Sequence, residues 1–346
     1  MVGNAPAAKR SRSAQTNHFI RVPAIWFTGN VSHGQGTQCF QAILFLVLTM
    51  NFMLSPSHSI ADTTSTTYSD GAPYFDKARH IHSLEMLEIL PRILKEGIIF
   101  AGSGAALLLQ AALPSIRDTE VQSSGHKALA TELINALQAH ISYISILVFG
   151  TRAERTGPLD ALQQRETPGL GGGRNNRFAH HPKLQMWIAA TLYATATDLY
   201  QRVYGRVDCS TARRAYSEFS VLITCLGVPV EEWPESQQEF WIYWDNQITK
   251  LSVSPSDALF AKDLVESIEM PGWVQRLKVF LRAVTIEMLP PRIRDLYGLR
   301  STSSTRFLYR TSMGFSRAVY PAFPKKIRSY PLRYYQQRLW VRMNLV

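Results

Sequence analysis

From Tyr74 onward, apolar residues recur three and four positions apart, and no stretch alternates long enough to suggest a sheet. The spacing predicts an apolar helix over Ile93–Ala112. Its Gly97, Gly102 and Gly104 would let another helix approach closely. A second helix is predicted over Lys127–Phe149, with Leu129, Leu133, Leu137 and Ile141 four apart. A third runs over Lys183–Tyr204, behind Pro182. There Leu184, Trp187, Ile188, Thr191, Leu192 and Thr195 share one face. Amphipathic stretches follow over Thr211–Leu226, Ser236–Lys250, Pro255–Ile268 and Trp273–Met288, each opening near Ser, Thr, Pro or Gly. No internal repeat is evident. The expectation is an all-α fold with one multi-helix domain over 74–335.

The first 73 residues read differently. Residues 1–38 are polar and basic, with Lys9, Arg10, Arg12 and Arg21, and lack a helical period; a disordered leader is expected. Phe40–Leu54 is apolar but short for a membrane span, and it contains Gln41, Thr49 and Asn51. Residues 39–55 therefore read as a membrane anchor, a signal segment or a buried helix. An anchor would place the protein at a membrane such as the endoplasmic reticulum; otherwise it would be cytoplasmic. Residues 56–73 have linker composition.

Composition changes this picture in one respect. With 346 residues, 46% of them hydrophobic, the chain can bury a sizeable core. The net charge of +11 is gathered at the end. Between Tyr297 and Val346 stand Arg300, Arg306, Arg310, Arg317, Lys325, Lys326, Arg328, Arg333, Arg338 and Arg342, with no Asp or Glu. This basic C-terminal region, ending in a tail over 336–346, suits either packing on the domain or contact with an anionic membrane surface. No nucleic-acid motif accompanies it, so no specific nucleic-acid partner is expected. Cys39, Cys209 and Cys225 form no CxxC pair, which argues against a structural zinc site.

Candidate chemistry gathers in RETPGLGGGRNNRFAHHPKLQMW, residues 165–187. Gly171, Gly172 and Gly173 do not follow a strand, so they make neither a phosphate loop nor a dinucleotide fingerprint. His180 and His181 are adjacent and diverge at a helix start, which is poor geometry for a shared metal. His140 stands mid-helix among apolar residues, as a packed histidine or a ligand. No GxSxG or cysteine-nucleophile motif occurs. Trp233 and Trp241 sit where they could border an apolar pocket. Arg294, in LPPRIRDLYG, suits bracing a helix end.

Several stretches in order carry a resemblance: GSGAALLLQAALPSI (102–116), YISILVFGTRAER (143–155), FAHHPKLQMWIAATLY (178–193), YSEFSVLITCLGVPVEEWP (216–234) and LPPRIRDLYGL (289–299). Together, over roughly Arg92–Pro331, the chain resembles the family of the rubber oxygenase catalytic domain and the ER-bound oxygenase of mycophenolic acid biosynthesis. The resemblance implies an all-helical domain holding haem b and oxidising a hydrophobic small molecule with dioxygen. Such a haem needs an axial donor.

The chain departs from the family at the donor positions. The family's Arg-Leu-x-x-Thr pattern falls on Ala136-Leu137-Gln138-Ala139-His140, and its axial His, in a His-x-x-Val-x-Gly setting, falls near Glu166. The acid-Pro before the next helix has become His181-Pro182. Two outcomes are compatible with this. Ligation is rewired to His140, His180 or His181, or the haem is lost and the helical scaffold serves as a binding or membrane-surface protein.

Overall fold

The computed structural model describes residues 77–114, 137, 140–163, 182–224, 228, 230–266, 275–333 and 336. The leader, the 40–54 segment, the linker and all of the tail but Gln336 lie outside the described residues, as do Glu166, the three glycines, His180 and His181. Every described element is helical. In chain order they are α1 (Lys77–Glu85), α2 (Leu90–Leu94), a 3-10 helix (Gly97–Gly102), α3 (Ser103–Ala111), α4 (140–149), α5 (Arg152–Gln163), α6 (Pro182–Tyr204), α7 (Cys209–Thr224) and α8 (Gln237–Lys250). Then follow α9 (Pro255–Glu266), α10 (Gln275–Met288), α11 (Pro291–Leu296), α12 (Ser303–Val319) and the short α13 (Lys325–Arg328), with further 3-10 turns at Val230–Glu232 and Tyr320–Ala322. The all-α expectation holds.

Helix α6 is the axis of the fold. Its 23 residues make a rod of about 35 Å. It packs against α2, the 3-10 helix, α3 and α12. The face read from periodicity is the face that is buried: Leu184, Trp187, Ile188, Thr191 and Thr195 are all under a tenth exposed. The Trp187 indole donates to the Leu109 carbonyl at 2.9 Å, and Tyr297 donates to the Leu108 carbonyl at 2.7 Å. Both carbonyls lie in the last turn of α3, where helix acceptors otherwise run short of partners. Gln110 reaches across to the Thr191 hydroxyl at 2.9 Å, both fully enclosed.

Helix starts follow local side-chain chemistry. Ser236 accepts from the Glu239 amide at 3.2 Å, while the Glu239 carboxylate takes the Glu235 amide at 3.1 Å. Ser254 and Asp257 exchange reciprocal bonds of 3.2 and 2.8 Å at the start of α9, and Thr151 and Glu154 do the same before α5. These are capping boxes or close variants.

Two findings revise the sequence reading. The helix expected over Ile93–Ala112 is broken into α2, the 3-10 turn and α3. Glu96 takes an extended conformation between them and pairs with Arg328 at 2.6 Å, and the Tyr204 hydroxyl donates to it at 2.7 Å. A Cβ on Gly97 would stand 2.7 Å from the Arg328 carbonyl, so the C-terminal segment docks where the chain breaks. The close approach expected of Gly104 is real: its α-carbon faces Thr285 of α10. The second finding decides between alternatives: the basic region after Tyr297 packs on the domain, as α12, a 17-residue helix against α10 and α6. Arg294 braces the end of α10, donating to the Ile286 carbonyl at 3.3 Å beside Glu287.

Candidate functional site

Among the described residues one apolar, partly open cavity stands out, of ≈ 70 Å³. Its walls come from α2, the 3-10 helix, α3, α4 and α6, with Phe219 of α7 and Leu332 closing it. Most of the lining is aliphatic, as the inward faces of five apolar segments require. The polar exceptions are hydroxyls: Ser103, Ser145, Tyr193, Thr195 and Thr197. Thr195 spends its proton on the Thr191 carbonyl at 2.7 Å, and Thr197 on the Tyr193 carbonyl at 2.7 Å. Such bonds back to the preceding turn let a helix carry threonine on an apolar face.

Ser145 differs from these. It is wholly buried and its Oγ has no hydrogen-bond partner. A buried hydroxyl left this way costs about 1–3 kcal/mol, so a water or a ligand oxygen beside it would be stabilised. Tyr193 is the other pronounced polar feature. Burial pushes its phenol up to about 12, only partly countered by the bond from Gln237 Nε2 at 3.1 Å, so it stays neutral near pH 7. Its ring joins a cluster with Tyr216, Phe219, Trp233 and Phe240, centroids 4.9 to 6.4 Å away. Trp233 therefore sits in this aromatic core, and neither it nor Trp241 is a lining residue of the cavity.

Of the four site residues read from the sequence, His140 alone falls among the described ones. It is 3% exposed, the one buried histidine there. On α4 it precedes Ile141 and stands one turn before Ile144, both of which line the cavity, yet it is not itself a lining residue. Beyond the end of α4, Gly150 turns the chain. Its amide bonds the Ile146 carbonyl at 2.8 Å, and a Cβ would come within 2.5 Å of that oxygen. Arg155 then folds back and donates to the Val148 carbonyl at 3.2 Å. Burial lowers its pKa, opposed by the fields of Glu85 and Glu154.

The structure also exposes a device that periodicity did not single out. Glu218 of α7 is buried, and its carboxylate accepts from the amides of Glu88, Ile89 and Leu90 at 3.0, 2.8 and 2.7 Å. Ile89, at the start of α2, has no side-chain cap of its own. Glu218 thus caps α2 from another helix and so fixes Leu90, Ile93 and Leu94 in the cavity wall. The available signal was an acid on the apolar stripe of α7, among Ala215, Tyr216, Phe219, Leu222 and Ile223.

A helical domain closed around an apolar interior, with one buried imidazole beside it, is suited to holding a hydrophobic small molecule away from water. The chain belongs to the family described as ER-bound oxygenase mpaB/B'/Rubber oxygenase, catalytic domain, which matches residues 90–318. That family uses haem. Among curated proteins it is similar to Uncharacterized protein Mb2261 of Mycobacterium bovis and Uncharacterized protein Rv2237 of Mycobacterium tuberculosis. Each is 28% identical over 165 residues, 46% of this chain and 63% of the relative. The match thus spans less than two thirds of those relatives' length. No solved structure matches.

The described residues around the cavity do not by themselves fit a haem. Cofactor-sized sites occupy a few hundred Å³ or more, roughly 300–1,000 Å³, against ≈ 70 Å³ here. Among the described residues the walls offer no imidazole, thiolate or thioether, and Tyr193 is held protonated. Among the described residues no group of three His, Cys, Asp or Glu is placed to hold a metal ion. No helix among them is long and apolar enough to cross a membrane.

Proposed function

We propose that this chain is an oxidoreductase of the oxygenase type, acting on a hydrophobic small molecule taken into the helical interior. The observation that carries this reading is the family match over 90–318, whose helices enclose the cavity between α2, α3, α4 and α6. Its chemistry supports an apolar substrate body with an oxygen function: the described walls are mostly aliphatic, and the buried Ser145 hydroxyl among them has no partner. The proposed haem b rests on the family and not on the cavity walls. His140 is the described imidazole nearest in sequence to the wall; His180 and His181 are the further candidates.

The visible spectrum of the purified chain, expressed with ample haem, tests this. A stoichiometric Soret band that disappears in His140→Ala supports haem held by that residue. A band that survives in His140→Ala moves the donor to His180 or His181.

A second reading has its own observation. The chain carries Ala136 and Glu166 where the family pattern has arginine and the axial histidine, and the cavity is small. In this reading the chain keeps the fold as a binding protein without the cofactor. A folded, helical protein that stays colourless through haem titration supports it and overturns the first.

A further inference from the structure

The basic region near the end of the chain is, in the fold, the two-faced helix α12. Its 17 residues span about 25 Å. Tyr309, Ser312, Met313 and Ser316 face inward. Arg306, Arg310 and Arg317 face solvent at the spacing of a single helical stripe, and exposed Phe307 flanks it, about 100° round the helix from Arg306. Exposed Lys325 and Lys326 follow on α13. Phe307 is 58% exposed, a large ring standing among cations.

No described acid pairs with any of these five charges. Arg306 bonds only the Ser301 carbonyl, at 3.1 Å. The acids on neighbouring elements are committed elsewhere: Glu287 to Ser301 and Arg294, Asp198 to Arg202, and Glu96 to Arg328 and Tyr204. The chain has no Asp or Glu after Asp295 to compensate them. A row of uncompensated cations costs self-repulsion in the free protein, and an anionic surface removes that cost.

We propose that the exposed face of α12, extended by Lys325 and Lys326, is a peripheral docking surface for bilayers containing anionic phospholipid. The charges match such a surface, and Phe307 matches the boundary between headgroups and acyl chains, where an aromatic ring is favoured. A nucleic-acid duplex would use the same cations but would gain nothing from an apolar ring outside its bases. The inference is independent of the proposed chemistry in the interior.

Flotation of the full chain with phosphatidylcholine vesicles, and with vesicles containing about three-tenths phosphatidylserine, tests it. Binding to the neutral vesicles measures whatever residues 40–54 contribute and is subtracted. The expected result is binding that depends on phosphatidylserine and weakens at high salt. Each neutralised cation should reduce it on the order of fivefold, so Arg306→Gln/Arg310→Gln/Arg317→Gln together should reduce it about a hundredfold. The corresponding triple Lys variant should retain it, and Phe307→Ser should weaken it several-fold with the charge unchanged. Circular dichroism verifies that the variants stay folded. The proposal is overturned if the triple Gln variant floats like the parent. It is also overturned if Phe307→Ser has no effect while a short DNA duplex binds more tightly than the vesicles.

Discussion

Replacing Glu218 should uncouple the cavity wall from the rest of the bundle. Its carboxylate is 7% exposed and receives three backbone amides of the α1–α2 connection, plus Arg214 Nε at 3.2 Å. In Glu218→Ala the Leu90 amide, whose bond is fully buried, is left without its acceptor. The other two can be partly rescued by water. A lost cap costs up to about 2 kcal/mol, and a stranded buried donor about 1–3 kcal/mol. Some of this is returned, because a charge no longer has to be desolvated and Arg214 keeps Glu88 at 3.0 Å. The net expectation is a loss of about 3 kcal/mol, or roughly 6–12 °C in Tm for a domain of this size. Glu218→Gln keeps the shape and one acceptor oxygen but turns amide hydrogens toward backbone donors, so about half that loss is expected. Denaturant unfolding gives the totals, and hydrogen exchange at Ile89 and Leu90 locates them. Two results would refute the argument: an Ala variant within about 1 kcal/mol of the parent, or a Gln variant as stable as the parent with unchanged exchange at those amides.

Other perturbations probe separate links. Ser145→Ala should leave the empty protein equally stable or about 1 kcal/mol more stable in urea, because it removes an unsatisfied buried hydroxyl; a loss of more than that would mean the hydroxyl is already satisfied. Gly97→Ala drives a methyl into the Arg328 carbonyl and the Pro331 ring, both 2.7 Å away. Thermal melts should show about 1–3 kcal/mol of destabilisation, and proteolysis should be faster after α12. Trp187→Phe keeps the ring packing but strands the Leu109 carbonyl, for about 1–2 kcal/mol in the same melts. Asp208, which accepts from Ser210 and Thr211 at the start of α7, titrates below the usual aspartate range because of those bonds. Its contribution is therefore present above the unfolded value of about 3.9 and is lost as pH falls toward the folded one. Carboxyl NMR should show the depressed titration, and Asp208→Asn should flatten that part of the acid-unfolding curve.

How far the fold could be read from the chain depended on which face each helix shows the core. On α6 the buried positions are apolar or are threonines that bond their own backbone, so periodicity found the face. On α12 the buried stripe is Tyr309, Ser312, Met313 and Ser316. Its two serines read as polar, while Phe307, the ring that catches the eye, points outward. The same helix therefore looked like a basic tail. The break at Glu96 was hidden for another reason. Gly97 is the local sign of a stop, but it reads as a site of helix approach; the ion pair that holds the break comes from Arg328, 232 positions away. Local chemistry and long-range pairing act at the same point, and only the first can be read from the chain.

The site was less legible than the fold because it belongs to no single stretch. Its walls are drawn from residues 90–106, 141–145, 192–197, 219 and 332, and each contributes side chains that look like ordinary core. A histidine is conspicuous in a sequence; a serine in YISILVFG is not, although Ser145 is the residue that faces the cavity without a partner. His140 and Ser145 lie five apart on α4, so their side chains point about 140° apart around the helix. A ligand engaging Ser145 thus approaches a different side of α4 from one engaging His140. Were haem held by His140, Ser145 would be left free to orient a substrate; without haem, Ser145 would be one of the hydroxyls available to anchor it. Measuring the Soret band and the cavity's preference for an oxygen-bearing ligand over its hydrocarbon analogue in the same two variants, His140→Ala and Ser145→Ala, separates these cases. If the two properties always fail together, the division is wrong and α4 presents one site.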